Sequence, residues 1–220
     1  MKIPFLLLSL LVTSALAQTT VSFYPPASAD DGVVWSSAAT WPPAAGTNSD
    51  DSTSPYGVQY TFVPSTYYYI HVLVRFDTSA LPDNATITSA VLKIYLSEAS
   101  FPDGAANFKF QGGYYTAWPI EPDDYVPPDS MGSDAFLSTT ADEFTPDARN
   151  SFSLSNLGSI SKTGYTGFRF GLVKVGGNTA PPGQNFIAVT FVEYAGTDRD
   201  PLLEVTYVIG GPKLLVVSER

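Results

Sequence analysis

Alternation of apolar and polar positions is clearest between Tyr67 and Leu96. Ile70, Val72, Val74 and Phe76 fall on one side of the first half of this stretch, with His71, Arg75 and Asp77 on the other. A period of two built from β-branched and aromatic residues predicts a half-buried strand. Ala90, Leu92, Ile94 and Leu96 repeat the pattern against Lys93 and Ser97, and the residues between the two runs predict a turn-rich bend.

Shorter runs of the same kind lie at 20–24, 33–35, 59–62, 107–110, 114–117, 151–157, 165–175, 185–192 and 202–209. Gly112-Gly113 reads as a turn between two of them. No long helix is expected, because Pro42, Pro43 and Pro55 interrupt the first polar stretch and nothing recurs at 3.6 residues. Residues 141–148 allow a single helical turn. About nine or ten short strands, separated by Gly, Pro and Asp turns, predict an all-β fold, an antiparallel jelly-roll-like β-sandwich. Two segments stand apart as long loops. One runs from Pro25 to about Pro64 and carries one or two short strands; the other is the Pro-rich acidic stretch 118–134.

Composition changes this picture first at the N-terminus. Lys2, an apolar run over 5–12 and Ala15-Leu16-Ala17 predict a signal peptide over residues 1–17, with cleavage before Gln18. One sandwich domain is then expected over 18–209, and 210–220 as a tail or an extra strand containing the apolar quartet Leu214 to Val217. Without Lys2 the chain carries 10 basic and 21 acidic residues, a net charge of −11. Such a surface disfavours nucleic acid and anionic membranes. No later apolar stretch approaches the roughly 18 residues of a spanning helix, so membrane insertion is not expected. Cysteine is absent, so an exported chain must draw stability from its core and from any bound cation. Asn84-Ala85-Thr86 is a glycosylation sequon.

Candidate chemistry is sparse on the catalytic side. His71 has no nucleophile motif to serve and reads as a cross-strand polar residue, and the acids sit mainly in turn contexts where solvation accounts for them. Binding is the better expectation. Flat aromatic faces stack on pyranose rings beside amides and carboxylates, which makes Trp35, Trp41, Tyr56, Tyr114, Tyr115, Trp118 and Tyr125 candidate carbohydrate contacts; the alternative is that they cap the ends of the sandwich. Calcium takes oxygen ligands from flexible loops. Asp30 with Asp31, Asp123 with Asp124, and Asp198 with Asp200 are candidate ligands for a structural Ca2+, beside the further acidic positions Asp50, Asp51 and Glu121.

Val72 to Asp77, then Ser79-Ala80-Leu81-Pro82 and Ala85-Thr86-Ile87-Thr88-Ser89-Ala90-Val91-Leu92, resemble the hallmark of DNRLRE-type extracellular domains, which are related to carbohydrate-binding module family 96. Thr116-Ala117-Trp118, Gly164-Tyr165-Thr166 and Asp200-Pro201-Leu202-Leu203 follow in the family's order, over about residues 19–209. The stretch from Trp35 to Pro64 and the tail after Tyr207 depart from the pattern. The resemblance implies a jelly-roll-like sandwich in a secreted or cell-surface protein, with an extracellular polysaccharide as partner. A structural subunit of a surface layer, filament or adhesin, self-associating through a sheet edge or the tail, is the alternative.

Overall fold

The computed structural model describes residues 17–52, 56–138 and 140–210, with Tyr56 described by its backbone alone. The expected signal peptide, save its last residue, and the tail from 211 onward lie outside them. Twelve strands form among the described residues: β1 (Gln18–Phe23), β2 (Asp31–Ala38), β3 (Asn48–Asp50), β4 (Tyr56–Val63), β5 (Thr66–Asp77), β6 (Ala85–Ser100), β7 (Phe108–Tyr114), β8 (Phe136–Leu137), β9 (Ala148–Ser153), β10 (Tyr165–Lys174), β11 (Gln184–Val189) and β12 (Leu202–Ile209).

The pairing is antiparallel, in the order β1-β12-β6-β11-β4-β5-β10-β7-β8, with β2 and β3 attached beside β5 and β9 beside β6. A sheet this broad has to curl. The long strand β6 makes the curl: it pairs with β12 and β9 over most of its length and with β11 only at its end. Register shifts at Ala188/Val189 and Thr206/Tyr207 bend the partners as bulges do. The result is a half-barrel that folds over its own core, the expected antiparallel sandwich.

That core follows from the two alternating runs. Val72 and Val74 stand opposite Phe170 and Phe168, while Ala90, Leu92, Ile94 and Leu96 of β6 are buried on the other side. Each of these side chains larger than Ala90 stabilises the fold by about 1.5–3 kcal/mol when fully removed from water.

Four expectations need correction. Strand β5 is not half-buried: Tyr69, His71 and Leu73 on its second face are fully buried too, because the 115–131 segment crosses that face and lays the Tyr125 ring 5.6 Å from the His71 ring. Gly112 and Gly113 do not turn the chain but lie inside β7. They are glycines because the Phe136 ring and the Asp134 carboxylate each stand 2.6 Å from where a Cβ would be. The stretch from Pro25 to Pro64 holds three strands, β2, β3 and β4, instead of one or two short ones among loops. Finally, the acids are not all solvated, since Asp30, Asp31, Asp124 and Asp200 are buried. The helical turn expected within 141–148 is present as one 3-10 turn, Ala141–Glu143.

Candidate binding groove and candidate metal centre

Most of the aromatic candidates are held by the fold. Trp41 packs against Tyr60, Tyr67 and Tyr69, with ring centroids 4.4, 5.8 and 6.3 Å away, and its Nε1 donates to the Asn178 carbonyl at 2.7 Å. Tyr125 is buried and its hydroxyl donates to the Pro43 carbonyl. The Tyr115 hydroxyl donates to the Asp124 carboxylate, and the Arg169 guanidinium lies 4.7 Å over its ring. Tyr114 donates to the Ser155 carbonyl at 2.8 Å. Trp118 donates to the Ala29 carbonyl and carries Arg75 over its face at 4.8 Å. The side chain of Tyr56 lies outside the described residues.

Trp35 is placed differently. On β2 it stands opposite Ile70 of β5, on the strand face that also bears Val72 and Val74. Further along that face the core opens into a groove of about 270 Å³, lined by Trp35, Gln59, Thr61, Val63, Tyr68, Ile70 and Gln184. The pairings Gln59↔Ile70, Thr61↔Tyr68 and Gln184↔Thr61 place these side chains in adjacent rows. With the Asn48 amide oxygen turned toward the indole, Trp35 Nε1 donates to it at 3.2 Å, which fixes the ring in the groove wall. The Thr61 hydroxyl is also spent, on the Asn185 carbonyl at 3.1 Å. The Tyr68 hydroxyl and the Gln59 and Gln184 amides, by contrast, have no partner within the described chain. Among the described residues no carboxylate or cationic side chain lines the groove. It therefore offers ring faces and neutral hydrogen-bonding groups together, the combination a sugar requires. A second depression beside β8 and β9 has more aromatic residues, but Phe136, Phe144 and Phe152 there pack on one another and on Phe110.

The carboxylate candidates divide in the same way. Asp30 pairs with Arg75 Nε at 2.5 Å. Asp123 is exposed; Asp124 accepts from the Glu121 backbone N–H at 2.8 Å and from Tyr115, closing a capping turn. Asp198 is exposed. Asp31 lies within electrostatic reach of Asp200 and of Glu193, a residue the sequence does not single out. Asp31 opens β2 on its core-facing side, opposite Val74. Its Oδ2 accepts from the Val192 N–H at 3.1 Å and its Oδ1 has no partner. Both Glu193 carboxylate oxygens and Asp200 Oδ1 are likewise buried without a partner. Burial, then the neighbouring Glu193, push Asp31 up to about 8. Burial also raises Glu193 and Asp200, with Asp50 and Asp51 adding to the effect at Glu193.

His71 is the other buried group with unmet polar atoms, at both ring nitrogens. Burial and the Arg169 charge hold its pKa down at about 3, against a weaker opposing pull from the Asp124 backbone. Neutral, it lies stacked on the Tyr125 ring.

Sequence reasoning missed Tyr68, Gln59, Gln184 and Glu193. A signal for Tyr68 existed: alternation along Tyr67-Tyr68-Tyr69 sets it on the face opposite its two neighbours. Nothing local marks Glu193, which matters only because the chain returns there to Asp31. No protein-family model matches the chain, and no curated protein matches it. Of the resemblance to DNRLRE-type domains, the antiparallel β-sandwich is what the structure establishes.

Proposed function

We propose that this chain is a secreted, non-catalytic β-sandwich module, extracellular or at the cell surface, that binds a neutral polysaccharide in the groove of Trp35 and Tyr68. The observation that carries the reading is Tyr68, half-buried, whose hydroxyl has no partner among the described residues, in one groove with the Gln59 and Gln184 amides, which have none there either. Aromatic rings in this setting stack on the C–H faces of a pyranose while amides and a phenol hydrogen-bond its hydroxyls. A neutral glycan is favoured over a polyanion because no described residue of the groove is cationic and the chain carries an excess of acid.

The test is retention of the protein on a panel of insoluble or gel-embedded neutral polysaccharides. Retention on one glycan, lost in Tyr68→Ala and kept in Trp118→Ala, supports the groove. Retention that survives Tyr68→Ala, or no retention on any glycan, sinks it. A second reading, a structural subunit that assembles with copies of itself, is favoured by β1. This strand ends the sheet path, pairs only with β12 among the described residues, and has no charged residue in Gln18–Phe23. Large assemblies in light scattering, disrupted by a lysine at Thr19 or Val21, would favour that reading.

A further inference from the structure

We infer that Asp31, Glu193 and Asp200 form the carboxylate part of a Ca2+ site at the end of the sandwich where β2 begins and the 190–201 segment leads into β12. The inference goes beyond glycan binding and does not depend on it.

Buried polar atoms are almost always hydrogen-bonded, and carboxylates cost most when left unpaired. Of the seven buried side-chain atoms without a partner among the described residues, four belong to these three carboxyl groups. Asp31 is 0% and Asp200 2% exposed. The Val192 N–H takes Asp31 Oδ2 and thereby orients the unpartnered Oδ1 of a side chain whose electrostatic neighbours are Glu193, Asp200 and Asp30. Among the described residues no basic side chain forms an ion pair with the group, although the Arg149 charge favours the ionised form of Asp200. Arg75 is engaged with Asp30, Arg149 donates to the Thr197 and Asp198 carbonyls, and Arg199 reaches toward Asp147 and lies over Tyr95 and Tyr194.

Further acidic residues lie around the three, with Asp50 and Asp51 bearing electrostatically on Glu193. The Asp50 carbonyl lies 2.5 Å from where a Gly32 Cβ would stand, so the absence of a side chain at Gly32 lets the Asp50-Asp51 corner close against the start of β2. The donor set is oxygen only, without imidazole or thiol. It therefore suits a hard cation that accepts about six to eight ligands in flexible geometry. Among the described residues no three His, Cys, Asp or Glu side chains stand close enough together to hold an ion as they are, so binding must draw Glu193 and Asp200 toward Asp31 and complete the shell with carbonyls and water. Asp31 and Trp35 share one face of β2, about 13 Å apart along the strand. An ion here would anchor the strand that carries the groove without touching a glycan.

The experiment is thermal unfolding and calorimetric titration of the full secreted chain at neutral pH, in calcium, in magnesium and in chelator. One calcium per chain, with unfolding raised by about 5 °C or more at saturating ion, is expected, and both effects should vanish in Glu193→Gln and Asp31→Asn. Asp123→Asn, in the other acidic loop, should leave them intact. Terbium luminescence that calcium displaces in the parent protein and that is absent in Glu193→Gln gives a readout independent of stability, should Asp31→Asn not fold. Absence of a heat, a shift and a terbium signal would overturn the inference. So would an Asp31→Asn protein that is more stable in chelator yet responds to calcium as the parent does, because the group would then be a proton-sharing cluster.

Discussion

Tyr67, Tyr68 and Tyr69 follow one another in β5, yet they occupy two different environments. Tyr67 and Tyr69 turn toward Trp41 and join Tyr60 and Tyr125 in a packed layer where rings lie 4.4–6.3 Å apart and the Tyr69 hydroxyl bonds the Leu172 carbonyl. Tyr68 turns the other way, into the groove with Trp35, and among the described residues neither its ring nor its hydroxyl has a partner. An aromatic residue in a loop-rich region is therefore poor evidence of a binding site until its partners are known. Trp41 is spent on the fold, whereas Tyr68 is available to something else.

Substitutions can break this contrast, and the largest effect should fall on the packed side. Trp41→Ala should lower unfolding free energy by about 3–4 kcal/mol, in the range of large-to-small core changes, as read by the urea midpoint. The folded fraction should still bind glycan, and loss of binding at full stability would place Trp41 in the site. Next comes His71, in the same layer. Its folded pKa of about 3 lies below the ordinary 6.5, so the unfolded chain takes up the proton first as pH falls. The stability tied to the neutral ring is present above pH 6.5 and is lost as pH drops toward 3, at about 1.4 kcal/mol per unit at most. Urea titrations at stepped pH should show that slope reduced in His71→Phe; parallel profiles would mean the ring is not held neutral.

On the groove side the effects should be smaller and should appear in binding. Tyr68→Ala should weaken polysaccharide affinity by about 1.5–2 kcal/mol, ten- to thirtyfold, and shift stability by less than about 1 kcal/mol. Affinity electrophoresis beside a denaturation curve separates the two. A large stability loss with unchanged affinity would erase the distinction between the two tyrosine environments. Gln59→Ala should cost least, about 1 kcal/mol for one hydrogen bond, and should be detected only on the glycan that Tyr68 also recognises.

Part of the candidate chemistry was legible in the residues. Trp35, Asp31 and Asp200 stand out as a tryptophan beside polar neighbours and as paired acids; in the structure Trp35 lines the groove of Tyr68, and Asp31 and Asp200 are buried with an unpartnered oxygen each among the described residues. Their companions carry no such mark. Gln59, Tyr68 and Gln184 meet because β4 pairs with β5 and with β11 in one particular register, and a shift of one residue would turn all three to the opposite face. Asp123 and Asp124 looked equivalent to Asp30 and Asp31, but a capping turn places one in solvent and commits the other.

The sequence alone determined that this is an antiparallel β protein and which residues of β5 and β6 share a face, because side-chain alternation is a property of the extended backbone and needs no distant partner. Only the tertiary structure decided that both faces of β5 are buried, that three consecutive tyrosines serve two environments, and that Asp31 meets Glu193 and Asp200. Those outcomes depend on which distant segments return to cover a strand, Tyr125 to His71 and Val192 to Asp31, the latter across 161 residues, and local periodicity carries no information about that return.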